Sequence, residues 1–159
     1  MSTQSRGQLQ YYLSKTGTGT DYVRLAKGIE SLDSALNAQT VEKTWIDDSS
    51  ESNTTGFQPS WSVSGDIYAG DDASELLYEM TWNRARNEDA EIYLIVLQGW
   101  EEGSTPGAFK AYKQLCSWAP ESDGGGSGGE TVTFSGTLNA KGDAEYGEFD
   151  PDTMTFTAD

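Results

Sequence analysis

Residues 132–157 read VTFSGTLNAKGDAEYGEFDPDTMTFT, and the spacing of their apolar side chains decides the fold class. Val132, Phe134, Gly136, Leu138 and Ala140 alternate with Thr133, Ser135, Thr137 and Asn139, the two-residue period of a strand with one buried face. Lys141 to Asp143 is placed to reverse the chain as a hairpin turn. AEYGEF then runs back, with a change of face near Gly147 that predicts a bulge. Asp150-Pro151-Asp152 fits a type I turn with proline second, after which Met154, Phe156 and Ala158 alternate with Thr155 and Thr157. The C-terminus therefore predicts a three-stranded meander.

Upstream, the same period recurs. WSVSGDIYA (61–69) puts Trp61, Val63, Gly65, Ile67 and Ala69 on one face and Ser62, Ser64, Asp66 and Tyr68 on the other. Directly after it, Asp72 to Glu75 is an Asp-x-x-Glu variant of the capping box, and Ala73, Leu76, Leu77 and Met80 follow at helical spacing, so a helix is predicted over about 72–84 with Asn83 as a weak stop. EIYLIVLQGW (91–100) is apolar on both faces and too β-branched for a helix, which predicts a strand covered on both sides. AFKAYKQLCSW (108–118) reads as a strand and also tolerates a helical reading. DGGGSGG (123–129) reads as a flexible loop.

The N-terminal third is less regular. Residues 1–20 are polar and glycine-dotted and read as a flexible arm, in which Leu9, Tyr11, Tyr12 and Leu13 either dock on a neighbour or fray with the terminus. Strands are predicted at 22–27 and 40–46, with an irregular segment or short helical turn over 31–39. Residues 47–60, DDSSESNTTGFQPS, hold almost nothing to bury and read as a long loop carrying Asp47, Asp48, Glu51 and Phe57. The whole is a mainly β chain: one domain over 21–159, a small β-sandwich or barrel of about eight strands with one packed helix.

Composition limits what such a domain does. With 159 residues the chain suits one domain, burying roughly 70% of its unfolded surface. Ten Lys and Arg against 26 Asp and Glu give a net charge of -16, which repels nucleic acid and anionic membrane. No run approaches the roughly eighteen apolar residues of a membrane span, and MSTQSRGQLQYYL lacks the apolar centre of a signal peptide, so a cytoplasmic protein is expected. The single cysteine, Cys116, cannot close an intrachain disulfide and is expected in the core.

There is no histidine, which excludes histidine-based triads and most metal sites; one cysteine excludes zinc clusters. Asp47, Asp48, Asp71 and Asp72 lack the spacing of a calcium loop, and Asp71-Asp72 is accounted for by helix capping. GTGTD (17–21) and GGGSGG (124–129) lack the Gly-Lys-Ser/Thr of a phosphate loop and read as linkers. Trp61, Trp100 and Trp118 are candidates for a sugar-stacking platform, but in strictly alternating strands they fit a core or an interface better. Neither catalytic residues nor a cofactor are expected.

The order of polar arm, strand pair with an acidic loop, WSVSGDIY, capped helix, buried strand and closing VTFSGTLNAKGDAEYGEFDPDTMTFT resembles the major tail tube protein of long-tailed, siphophage-type bacteriophages. The resemblance covers about residues 22–158, is strongest over 62–72 and 133–156, and includes Gly65, Gly136, Gly142 and Gly147, which match places where that family turns or bulges. It implies a structural virion protein: hexameric rings stacked into a hollow tube through which DNA passes without tight binding. Tape-measure, tail terminator and tail tip proteins are the implied partners, and a virion tail assembled in the host cytoplasm the implied location. The helix would lie outside, with the 47–60 loop and N-terminal arm reaching between rings. Part of the acidity would then line the bore, with Asp66 and Glu145, on polar strand faces, as candidates. Three other readings compete: a monomeric carbohydrate- or receptor-binding β-sandwich, the tube of a contractile tail or secretion apparatus, and, last, an enzyme using two carboxylates, for which no pair is marked by spacing or surroundings.

Overall fold

A computed structural model of the chain describes residues 2–159. Eleven strands and one α-helix follow in order: β1 (Leu9–Ser14), β2 (Val23–Arg24), β3 (Ile29–Ala35), β4 (Gln39–Thr44), β5 (Ser50–Gly56), β6 (Ser60–Asp66), α1 (Asp72–Trp82), β7 (Glu91–Glu102), β8 (Phe109–Gly125), β9 (Thr133–Ala140), β10 (Glu145–Asp150) and β11 (Thr155–Ala158). Nine of the strands form one curled, half-barrel sheet in the order β2-β1-β7-β8-β9-β6-β3, with β10 also paired to β8 and β11 outside β10. β4 and β5 pair only with each other.

β8 is the spine of this sheet. Its first half pairs with β7 along one edge, Glu91 opposite Ser117 through Leu97 opposite Ala111. Along its other edge lie two strands end to end: β9 from Gly125 back to Cys116, then β10 from Lys113 back to Phe109. Both run antiparallel to β8. Lys141–Asp143 therefore does not reverse the chain as expected; it steps from β9 into β10 along one edge. Gly142, with φ +78, and the Lys141 N–H bonded to the Leu115 carbonyl at 2.8 Å carry that step. Gln114, buried, fastens it by donating its amide to the Lys141 and Gly142 carbonyls at 3.3 and 3.1 Å. Of the three C-terminal strands, only β10 and β11 pair with each other as a hairpin, through the turn at Asp150, whose carboxylate accepts the Asp152 N–H at 2.9 Å. No bulge occurs at Gly147: the register is regular, and the glycine admits the neighbouring strand, because a Cβ there would stand 2.2 Å from the Thr157 carbonyl oxygen.

β7 is apolar on both faces because both are covered. Ile92, Leu94 and Val96 join the main core with Tyr11, Leu13, Trp61, Val63, Trp118, Phe134, Leu138 and the helix residues Leu77 and Met80. Ile95 and Leu97 face a second cluster of Tyr12, Tyr22, Ala111 and Phe149. The 108–118 segment is strand, as its first reading had it, and Cys116 is fully buried within it. The helix begins as read at Asp72 but its N-cap is Asp71, which accepts the Ser74 N–H at 3.1 Å while Glu75 accepts the Gly70 N–H at 2.8 Å. It ends at Trp82, two residues short of the expected limit.

Further segments depart from the sequence reading. Residues 123–125, read as the start of a flexible loop, extend β8. Leu9, Tyr11, Tyr12 and Leu13 do not form a free arm: they lie in β1, between β2 and β7, with Tyr11, Tyr12 and Leu13 buried. Alternation is absent there because both faces are covered. Residues 31–39 contain most of β3, whose Leu32 reaches the core while its other side chains stay largely open. Residues 47–60 are mostly strand, β5 and the start of β6, rather than loop. Arg6 spans the open seam of the half-barrel: its guanidinium donates to the Leu9 carbonyl at 3.1 Å and to the Leu32 carbonyl of β3 at 3.0 Å, and stacks over Tyr11.

Candidate assembly surfaces

The β4–β5 hairpin is exposed over nearly its whole length, on both faces. Two six- and seven-residue strands of polar and β-branched residues pair locally, but nothing in them is apolar enough to fold back on the sheet. A two-stranded hairpin with no covered face is marginal on its own. Its root is fixed by Asn37, whose side-chain amide donates to the Gln58 carbonyl at 2.9 Å, and by the Gln58 N–H to the Leu36 carbonyl at 3.1 Å. At its tip, the Trp45 N–H donates to the Ser49 carbonyl and the Asp48 N–H to the Trp45 carbonyl. The Ser49 hydroxyl and N–H donate to the Asp47 carboxylate and hold its pKa below the usual carboxylate range, so the tip stays charged.

Of the residues read as an inter-ring loop, the fold brings Asp47 and Asp48 together at this tip, places Glu51 on β5 opposite Lys43, and leaves Phe57 exposed at the root. The reading missed the tip's apolar members. Ile46 is fully exposed and Trp45 half so, with Lys43 over the indole at 5.8 Å. The signal was present: TWIDD sets two large apolar side chains beside two carboxylates, with no partner strand to receive them.

A second surface is the outer face of β3, β6 and β9. Ser60, Ser62, Ser64 and Asp66 stand opposite Asn139, Thr137, Ser135 and Thr133, and Ser31 and Asp33 continue the rows on β3. It is a smooth field of small hydroxyls and amides. Asp66, half-buried, accepts the Thr131 hydroxyl at 2.9 Å. Glu145 lies elsewhere, on β10 opposite Lys113, and pairs with that ammonium at 3.3 Å. The two candidate bore residues are thus not neighbours. The three tryptophans do not make a row either: Trp61 and Trp118 are in the core and only Trp100 reaches the surface.

Solved structures share this arrangement. One is a chain of the tail of an empty GTA particle, computed with helical refinement in C6 symmetry: TM-score 0.58, 16% identity, covering 91% of this chain and 98% of that one. Another belongs to the virion of a native gene transfer agent particle, with TM-score 0.55 and 17% identity over 98% of this chain and 100% of that one. The mainly β fold with one helix is shared with these two chains of gene transfer agent particles. No family model and no curated protein matches the sequence.

Proposed function

We propose that this chain is a tail tube subunit that polymerises as stacked hexameric rings into a conduit for DNA. The observation that carries the reading is the end-to-end fold likeness to a tail chain refined with C6 helical symmetry. The unpartnered β4–β5 hairpin supports it, since an ordered hairpin with both faces open is made for contact with another copy. The net charge of -16 supports a bore that repels phosphate, whereas a basic bore would hold DNA by a strong, salt-sensitive attraction. The siphophage-type tail, the tape-measure, terminator and tip partners and assembly in a host cytoplasm belong to the same proposal.

Light scattering with negative-stain microscopy over a range of concentration tests it. Hollow tubes or rings with six-fold symmetry are the expected result; a chain that stays monomeric at every concentration and in the presence of a preformed tail tip overturns it. For the bore, Asp66→Lys with Glu145→Lys should slow DNA release from assembled tails. Unchanged release would remove these two residues from the wall.

A further inference from the structure

At the C-terminal end of α1 an open groove of about 750 Å³ runs between the helix and the segment before β7. Its apolar wall is made by the half-buried Leu76 and Ala85 and by the edge of Met80, which otherwise lies in the core, and Lys15, Arg84 and Arg86 stand around it, three of the ten cations in the chain. Glu79 and Asp89 also border it, so its balance is one positive charge on a protein of -16. Lys15 is occupied with the Asp89 and Glu91 carbonyls, at 2.9 and 2.8 Å. Arg84 and Arg86 are exposed, and among the described residues neither forms an ion pair.

The β4–β5 tip has the complementary chemistry. Trp45 and Ile46 are apolar and open to solvent, and Asp47 and Asp48 follow them directly, with Asp47 kept ionised by Ser49. We infer that the tip of one copy seats in the α1 groove of a neighbouring copy, Ile46 and Trp45 against Leu76, Met80 and Ala85, and the two carboxylates toward Arg84 and Arg86. The inference rests on the tube reading and names the surface that receives the hairpin. A tip-to-groove contact joins two different patches of the same chain, so it is heterologous and repeats from copy to copy, as a ring or helical tube requires. It also accounts for an apolar tip at the end of an otherwise polar hairpin, and for two unpaired guanidiniums on so acidic a chain.

Two variants test it. Asp47→Arg with Asp48→Arg gives a cationic tip and leaves the groove cationic; Arg84→Glu with Arg86→Glu leaves the tip anionic and makes the groove anionic. Each alone should need at least about tenfold more protein for half-assembly than the wild-type chain, because like charges then meet at the contact. An equimolar mixture of the two should assemble near the wild-type concentration, each tip finding a groove of opposite sign, and that recovery also shows that both variants are folded. Wild-type assembly by either variant alone, or no recovery in the mixture, overturns the contact while leaving the tube reading standing. A wild-type chain that never associates removes the tube reading and the contact with it.

Discussion

The indole N–H of Trp118 on β8 donates to the Thr81 hydroxyl on α1 at 2.9 Å, inside the core, and the same hydroxyl donates to the Leu77 carbonyl at 2.9 Å. This pair ties the only α-helix among the described residues to the longest strand through the one polar atom that Trp118 brings into an apolar interior. Thr81→Val keeps the shape and removes the acceptor, leaving a buried N–H without a partner. The expected loss is about 1–3 kcal/mol of unfolding free energy. Urea unfolding followed by tryptophan fluorescence measures it, and Thr81→Ser, which keeps the hydroxyl, should recover most of the loss.

Gly136 on β9 lies under the Trp118 ring. A Cβ at Gly136 would stand 2.5 and 2.7 Å from ring carbons and 2.9 Å from the Pro120 Cα, so Gly136→Ala must displace a fully packed indole and a strand. Overpacking of this kind costs about 1–3 kcal/mol. Gly7→Ala, where a Cβ meets nothing within 4 Å, serves as control. A Gly136→Ala protein as stable as that control would mean that β8 and β9 stand further apart than described.

Much of the fold was legible because alternation reports burial of one face: Trp61, Val63 and Gly65 on β6 and Phe134, Gly136 and Leu138 on β9 face inward as read, while Ala69 and Val132, read on the same faces, lie beyond those strands and are exposed; doubly apolar β7 was read as covered on both sides. What alternation does not report is which strand lies alongside. Lys141-Gly142-Asp143 has the composition of a hairpin turn, and a short step along one edge uses the same glycine with positive φ. The difference lies in Gln114, distant in sequence, whose amide closes the step. β1 was hidden for the opposite reason to β5. Burial on both faces removed any period from LQYYLS, while exposure on both faces left SESNTTG nothing apolar to mark it. The candidate bore residues came from strand faces alone, and a face does not say how far apart two strands lie.

Gln114→Leu tests the β9–β10 step. It fits the buried site but leaves the Lys141 and Gly142 carbonyls without their donor. Faster hydrogen exchange should be confined to the amides of β10 and β11, with β6 and β7 unchanged. A global, uniform acceleration would show that the step is not a local fastening.

Alkali should unfold the protein in a defined window. Burial pushes the Cys116 thiol up to about 12 from its ordinary 9.0. Burial, reinforced by Asp21, pushes Tyr22 up to about 12, and burial with the neighbouring Tyr11 does the same for Tyr112, both from 10.0. In each case the folded pKa lies above the unfolded one, so the stabilising contribution is complete below about pH 9 and is lost as pH rises through 12. The urea midpoint should hold steady from pH 7 to 9 and fall between pH 9.5 and 11. A midpoint unchanged over that upper range would place these groups in contact with solvent.

The hairpin gives the most direct readout of assembly. In a free subunit β4 and β5 bond only to each other and have no covered face, so their opening costs little and their amides should exchange nearly as fast as those of loops. β7, paired on both edges and buried on both faces, should exchange only through global unfolding. In assembled protein the ranking should change at one place: the amides of residues 40–54 should become strongly protected while those of β7 stay as they were. Protection of the hairpin in the monomer would mean that it already has a partner within its own chain. Absence of protection in tubes would mean that the tip contacts nothing, and would remove the hairpin from the interface.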